Sequence, residues 1–220
     1  MKTRIVYEDR DIIICHKPAG LPTQSSSVSH PDVVSELKAH LAGGYVGIVH
    51  RLDQPVEGLL AFAKNPKAAA VLSRQLTEGT LEKRYCALVW GHPLDEEDEL
   101  TDYLLKEGNL SRVVTEKTPG AKRAVLRYRV RGSQTDSAGG NHTCLDICIG
   151  TGRFHQIRCQ LAHRGMPVLG DQKYGTAESL EESRILGIRQ AALCACAIRL
   201  THPVMGREIS YEISPDWINC

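Results

Sequence analysis

His50, Arg51 and Asp53 stand together at the start of VHRLDQPVEGLLAFAK, residues 49–64. Two potential cations and a carboxylate, separated by one leucine, are the groups of acid–base chemistry. Pro55 and Gly58 punctuate the next residues, and Leu59 to Ala63 runs apolar into Lys64. A short apolar run bounded by turn residues reads as a buried strand. A polar cluster on the loop that feeds such a strand is where a scaffold holds reactive groups. By themselves, though, the same residues also describe a surface loop with a salt-bridged aspartate.

Other chemistries find little support. Gly150-Thr151-Gly152-Arg153 lacks the third glycine of a dinucleotide fingerprint and the GK[ST] of a P-loop. No HExxH, EF-hand or GxSxG pattern is present. Any chemistry is therefore expected to need no cofactor. The eight cysteines contain no CxxC pair and fit neither a zinc site nor a secreted disulfide framework, so they read as reduced core residues and no metal is expected. No apolar run is long enough to span a bilayer, and the N-terminus lacks a signal peptide's apolar core. These features give the expectation of a cytoplasmic protein without membrane contact. The net charge of +1 hides an asymmetry: residues 112–173 carry 11 Lys and Arg against 4 Asp and Glu, between acidic flanks. A localised positive surface of that kind suits a polyanion.

The elements that must position the cluster can be read from periodicity. Residues 4–15 read as strand, acidic turn and strand. Gln24 to Ser29 is polar and flexible by composition. Asp32 caps a helix over Val33 to Leu41 that ends at Gly43-Gly44, and Asn65 with Pro66 opens a helix that stops near Gly79. Lys83 to Trp90, Ser111 to Thr115, Ala121 to Arg131 and Thr143 to Ile149 read as strands, the third with a basic outer face. Asp95 to Glu99 reads as a solvated acidic loop, and Gly132 to Asn141 as a hairpin loop. Phe154 to His163 looks helical, with Arg153, His155 and Arg158 on its polar side. Ala191 to Leu200 is apolar, and Glu208 to Ile213 is a short strand. Strands outnumber helices and are often adjacent, which favours an α+β arrangement with a mixed, mainly antiparallel sheet and flanking helices.

Four blocks in one order resemble the RluA-type RNA pseudouridine synthases. Tyr7-Glu8-Asp9 with Lys17-Pro18-Ala19-Gly20-Leu21 is similar to that family's N-terminal motif, and HRLD with Gly58-Leu59-Leu60 to its catalytic motif. Lys83-Arg84-Tyr85-Cys86-Ala87 resembles its K-x-Y-x-A strand. Gly152 to Arg158, followed by Gly165, Pro167, Gly170-Asp171 and Tyr174-Gly175, is similar to its C-terminal motif. The resemblance implies the pseudouridine synthase fold and conversion of uridine to pseudouridine in structured RNA, ribosomal or transfer. Because the first block already begins at residue 7, a single catalytic domain over 1–220 is expected, without the S4 RNA-binding domain that many relatives carry. It implies no cofactor, and the small size of single-domain members suggests a monomer. By the same resemblance Asp53 is the essential carboxylate, which either attacks C1′ or takes the C2′ proton. Arg158 pairs with it, Tyr85 stacks on the base, and Arg51 fills the space of the flipped-out uridine. His50, Arg153, His155 and Gln156 complete the expected substrate-binding set.

One segment departs from the family pattern. Gln54-Pro55-Val56-Glu57 replaces the usual Arg-[Asp/Glu]-Thr-Ser, and Glu57 adds negative charge near Asp53 that His50, Arg51 or Arg158 would have to offset. The altered loop motivates an alternative: an RNA-binding or RNA-chaperone protein on the same fold with little or no activity.

Overall fold

Strand β1 (Arg4–Glu8) pairs antiparallel with β2 (Ile12–Lys17) across an acidic turn. There Asp9 accepts hydrogen bonds from the amides of Asp11 and Ile12, so the aspartate replaces backbone partners that the turn lacks. The structure, a computed structural model, describes residues 1–25, 30–134 and 141–219. The chain divides into two units, Met1–Lys83 with Cys194–Ser214, and Arg84–Leu193 with Pro215–Cys220. The expectations for residues 26–29 and 135–140 lie outside the described residues.

In the first unit, helix α1 (Val33–His40) starts at Asp32, whose carboxylate and Ser35 form a reciprocal capping box. The short strand β3 (Gly47–Ile48) and then β4 (Glu57–Ala63) come next. Helix α2 (Pro66–Glu78) is capped by Asn65 and ends at Gly79 in the left-handed conformation. Every residue of β4 from Leu59 to Ala63 is fully buried, as expected of a strand covered on both faces. The N-terminal elements, both helices and the apolar run of β4 lie where periodicity places them.

The second unit is built from β5 (Glu82–Trp90), β6 (Glu97–Glu107), β7 (Leu110–Val114), β8 (Lys122–Gln134) and β9 (His142–Ile149). They are ordered β5-β9-β8-β6-β7, with antiparallel pairings. Helix α3 (Gln156–His163) packs Cys159 against Leu104 and Ala124, and buries Gln160, which donates to Asp102 at 2.7 Å. Helix α4 (Ala177–Ile185) starts from a capping box of Thr176 and Ser179. The chain then returns to the first unit, where β10 (Leu193–Thr201) runs parallel to β4 and antiparallel to β11 (Glu208–Glu212). The first unit's strands are ordered β1-β2-β4-β10, and its core gathers Ile12, Ile14, Leu59, Leu72 and Ile198.

Three expectations need correction. The acidic run 95–99 is not simply a solvated loop, because Glu97 to Glu99 begin β6. Helix α3 begins at Gln156 rather than Phe154, since His155 adopts a left-handed backbone (φ 51°) that no helix continues. Its polar side is also misassigned: His155 and Arg158 are buried.

Candidate active site

The loop carrying Asp53 is held from beneath by Lys17. This lysine sits at the end of β2 with 0% exposure, and its ammonium donates to the carbonyls of Leu21 (2.7 Å), Pro18 and Gln54 (both 3.1 Å). The Gly20 amide also donates to Gln54 O, and the Gln54 amide group returns a bond to Gly20 O. The Thr23 hydroxyl accepts from Leu52 N and donates to Leu52 O. Residues 17–23 thus clamp both neighbours of Asp53 by their backbone, whatever their side chains, and leave Asp53 half-buried. Within the turn, Val56 N donates to Asp53 O at 3.1 Å.

Where the loop joins β4, glycine is required. Gly58 has φ 132°, and a Cβ there would lie 2.4 Å from Ala195 N on the parallel neighbour β10. Only a residue without a side chain lets the two backbones meet.

Lys17 also contributes charge to the altered segment. Burial pulls its ammonium down to about 8, while Asp53 and then Glu57 pull the other way. Lys17 thus sets one positive charge against both Asp53 and Glu57, while His50 supplies none. Burial, reinforced by Lys83, pushes His50 down to about 3, so it is a neutral imidazole. Only 7% exposed, it accepts the Ala61 amide at Nε2 and ties the loop to β4. Glu57 lies 3.5 Å from His16 Nε2. Arg51 is exposed and makes no hydrogen bond or ion pair among the described residues. Gln54 lines a cleft of about 980 Å³ with Lys2, Pro18, Leu21 and His30.

In the second unit, Tyr85 is buried on β5 opposite Ile147. Arg158, 2% exposed, grips Asp171 through Nε (2.6 Å) and Nη2 (2.7 Å), a fork that fixes the guanidinium plane. Asp171 comes after Gly170 (φ 75°), where a Cβ would lie 2.1 Å from Gln190 O. The Arg158 guanidinium also lies 5.2 Å from the Tyr174 ring centroid. Gln156 joins its own turn to β8: its side chain donates to Val125 O and accepts from Thr151 Oγ1 and Arg153 N. His155 bonds Tyr174 through Nδ1, and the exposed Arg153 donates to Arg123 O. Lys17, Asp171 and Tyr174 stand inside the motif blocks, yet nothing in residue type alone assigns them these tasks.

The basic strand is largely matched by acids. Arg127 pairs with Glu99 at 2.5 Å, Arg129 with Glu97 at 3.0 Å and Arg131 with Asp146 at 3.7 Å. The acidic run and the basic strand are cross-strand partners, so the local charge excess is smaller than the sequence suggests. Asp9, Asp11 and His202 also gather closely enough to suggest a metal. His202 and Asp9 are engaged with each other and with backbone instead: His202 Nδ1 accepts from the amides of Val204 and Met205, and its Nε2 bonds Asp9 at 2.6 Å. Of the cysteines, Cys15, Cys86, Cys159 and Cys194 are buried thiols, whereas Cys148 is exposed and departs from the expected core role.

A family model described as RNA pseudouridylate synthase matches residues 11–163. The chain belongs to the RNA pseudouridylate synthase family. It is 32% identical over 218 residues to the ribosomal large subunit pseudouridine synthase C of Rickettsia bellii, covering 98% of this chain and 69% of that protein. It is 29% identical to the ribosomal large subunit pseudouridine synthase D of Zymomonas mobilis, covering 94% and 68%. The chain thus spans about two thirds of the length of these relatives. Among solved structures, human RNA pseudouridylate synthase domain containing 1 superposes with a TM-score of 0.79 at 22% identity, covering 98% of this chain and 84% of that one. That likeness supports the α+β pseudouridine synthase fold expected from the motifs.

Proposed function

We propose that this chain isomerises uridine to pseudouridine in ribosomal RNA, with Asp53 as the essential carboxylate. The observation that carries this reading is the Asp53 loop. Its backbone is fixed by a buried ammonium and a threonine hydroxyl, and its charge is compensated by the same ammonium. Such preorganisation is what a reacting group needs and what a plain surface ion pair does not. Ribosomal RNA is chosen because the Rickettsia and Zymomonas relatives are ribosomal large subunit enzymes.

The chemistry balances without an outside group. The C1′–N1 bond of uridine breaks, a C1′–C5 bond forms, C5 loses its proton and N1 gains one. In this reading Asp53 either attacks C1′ or takes the C2′ proton, Arg158 pairs with it, and Tyr85 stacks on the base. Arg51 fills the space left by the extruded nucleotide. His50, Arg153, His155 and Gln156 complete the proposed substrate-binding set. Residues 1–220 are taken as one catalytic domain, monomeric and cytoplasmic.

Pseudouridine mapping of ribosomal and transfer RNA from cells with and without the gene tests the proposal. Loss of at least one ribosomal pseudouridine supports it. A change confined to transfer RNA refutes the ribosomal assignment, and unchanged maps refute the activity.

A further inference from the structure

Phe154 is an exposed aromatic (37%) held through its backbone and its ring. Its carbonyl accepts from Ser111 Oγ at 2.5 Å, and its ring stacks on His155, centroids 3.8 Å apart and 21° from parallel. His155 is fixed in turn by Tyr174, whose hydroxyl bonds His155 Nδ1 at 2.9 Å and accepts from Ser111 N at 2.7 Å. The Tyr174 ring meets His155 edge-on at 5.6 Å, and Arg158 lies against that same ring. A column of rings therefore leads from the surface at Phe154 to the buried Arg158, within the second unit.

The outer end of this column carries a cation. The imidazole stacks on Phe154, and the Lys106 ammonium lies over the same ring, 4.7 Å from its centroid. Lys106 is exposed and forms no ion pair among the described residues. Arg153 and Lys173 are exposed nearby on the segments that carry Phe154 and Tyr174, and neither forms an ion pair among the described residues. A preorganised aromatic face, covered by one flexible lysine and flanked by cations, has the features of a stacking platform for single-stranded nucleic acid.

We infer that Phe154 is a stacking site for an unpaired nucleobase of the RNA substrate, with Lys106 displaced from the ring onto the adjacent phosphate. The inference rests on the chain acting on RNA. It adds a recognition site outside the expected substrate-binding set. Stacking on a π-face is tolerant of base identity, so the site selects unpaired over paired nucleotides rather than one sequence.

Fluorescein-labelled oligouridylate and an RNA duplex of the same length are titrated against wild type, Phe154→Ala and Phe154→Trp. Phe154→Ala weakens single-strand binding about tenfold and leaves duplex binding unchanged. Phe154→Trp shows indole quenching by unlabelled oligouridylate beyond that of wild type, which has Trp90 and Trp217. Lys106→Ala lowers the slope of log Kd against log salt by about one while the quenching in a Lys106→Ala/Phe154→Trp double variant persists. Equal binding by Phe154→Ala and wild type, equal weakening for strand and duplex, or quenching absent in Phe154→Trp each overturns the inference. If wild type forms no pseudouridine and the quenching remains, the enzymatic reading fails while the stacking site stands.

Discussion

The Asp53 loop and the Gly152–Arg158 segment both consist of polar motif residues, but the fold uses them in opposite ways. In the first, much of the support comes from outside the loop: Lys17 and Thr23 bind the backbone on either side of Asp53. In the second, the motif side chains are themselves the support. Gln156 ties the turn to β8, His155 bonds Tyr174, and Arg158 grips Asp171. A motif therefore marks where a site is built without saying which of its residues face the substrate.

This contrast can be broken by substitution, and the largest effect falls on the self-supporting segment. Arg158→Met strands the Asp171 carboxylate in the interior, and loss of one partner of a buried pair destabilises by about 3–5 kcal/mol. Urea denaturation measures this. Arg158→Lys, which keeps the charge and loses the fork, is expected to recover only part of it.

Lys17→Met comes next. It leaves the carbonyls of Leu21 and Gln54 without their shared donor, at about 1–3 kcal/mol by urea denaturation. Its effect on kcat is expected to exceed what that destabilisation explains, because the charge facing Asp53 and Glu57 is also lost. The pH profile separates the two contributions. Lys17 releases its proton as pH rises through about 8, so kcat/KM is expected to fall with an alkaline midpoint there, and Lys17→Met is expected to lack that limb. Folding stability responds in the opposite sense. Between about 8 and 10.5 the unfolded chain holds the proton that the folded chain has lost, so the lysine's contribution rises with pH.

His50 acts at the acid end. Its folded pKa of about 3 lies below its ordinary 6.5, so the unfolded chain binds the extra proton first. Its contribution is complete above 6.5 and is lost as pH falls from there toward 3. An acid titration followed by circular dichroism is expected to show a shallower decline for His50→Phe than for wild type. The smallest effect belongs to the charge ladder. Arg129→Ala removes an exposed pair with Glu97 and is expected to change stability by less than about 1 kcal/mol in thermal melts.

The elements legible in the sequence were those with caps and apolar periods: Asp32 and Asn65 announced their helices, and Leu59 to Ala63 its buried strand. β6 was obscured because Glu97 and Glu99 lie on its outward face, and the inward alternation of Leu100, Asp102 and Leu104 contains a charge. α4 buries Ser179, Glu182 and Ser183 rather than an apolar stripe, so periodicity could not reveal it. At the site, the family and the position of Asp53 were readable from four blocks in order. The job of Lys17 was not, because a fully buried lysine is rare and its partners are carbonyls, which residue type does not disclose. The burial of His155 and Arg158 was likewise hidden, because both are polar types that are mostly exposed or half-exposed and their partners, Tyr174 and Asp171, lie more than ten residues further along the chain.

The central claim is that the clamped Asp53 carboxylate performs the isomerisation. Ribosomal RNA labelled with tritium at C5 of uridine and lacking this chain's pseudouridine tests it most directly, since each turnover releases the label to water. The account predicts release by wild type and none by Asp53→Asn, with the variant still folded and still binding the RNA. Equal release by both proteins would contradict it.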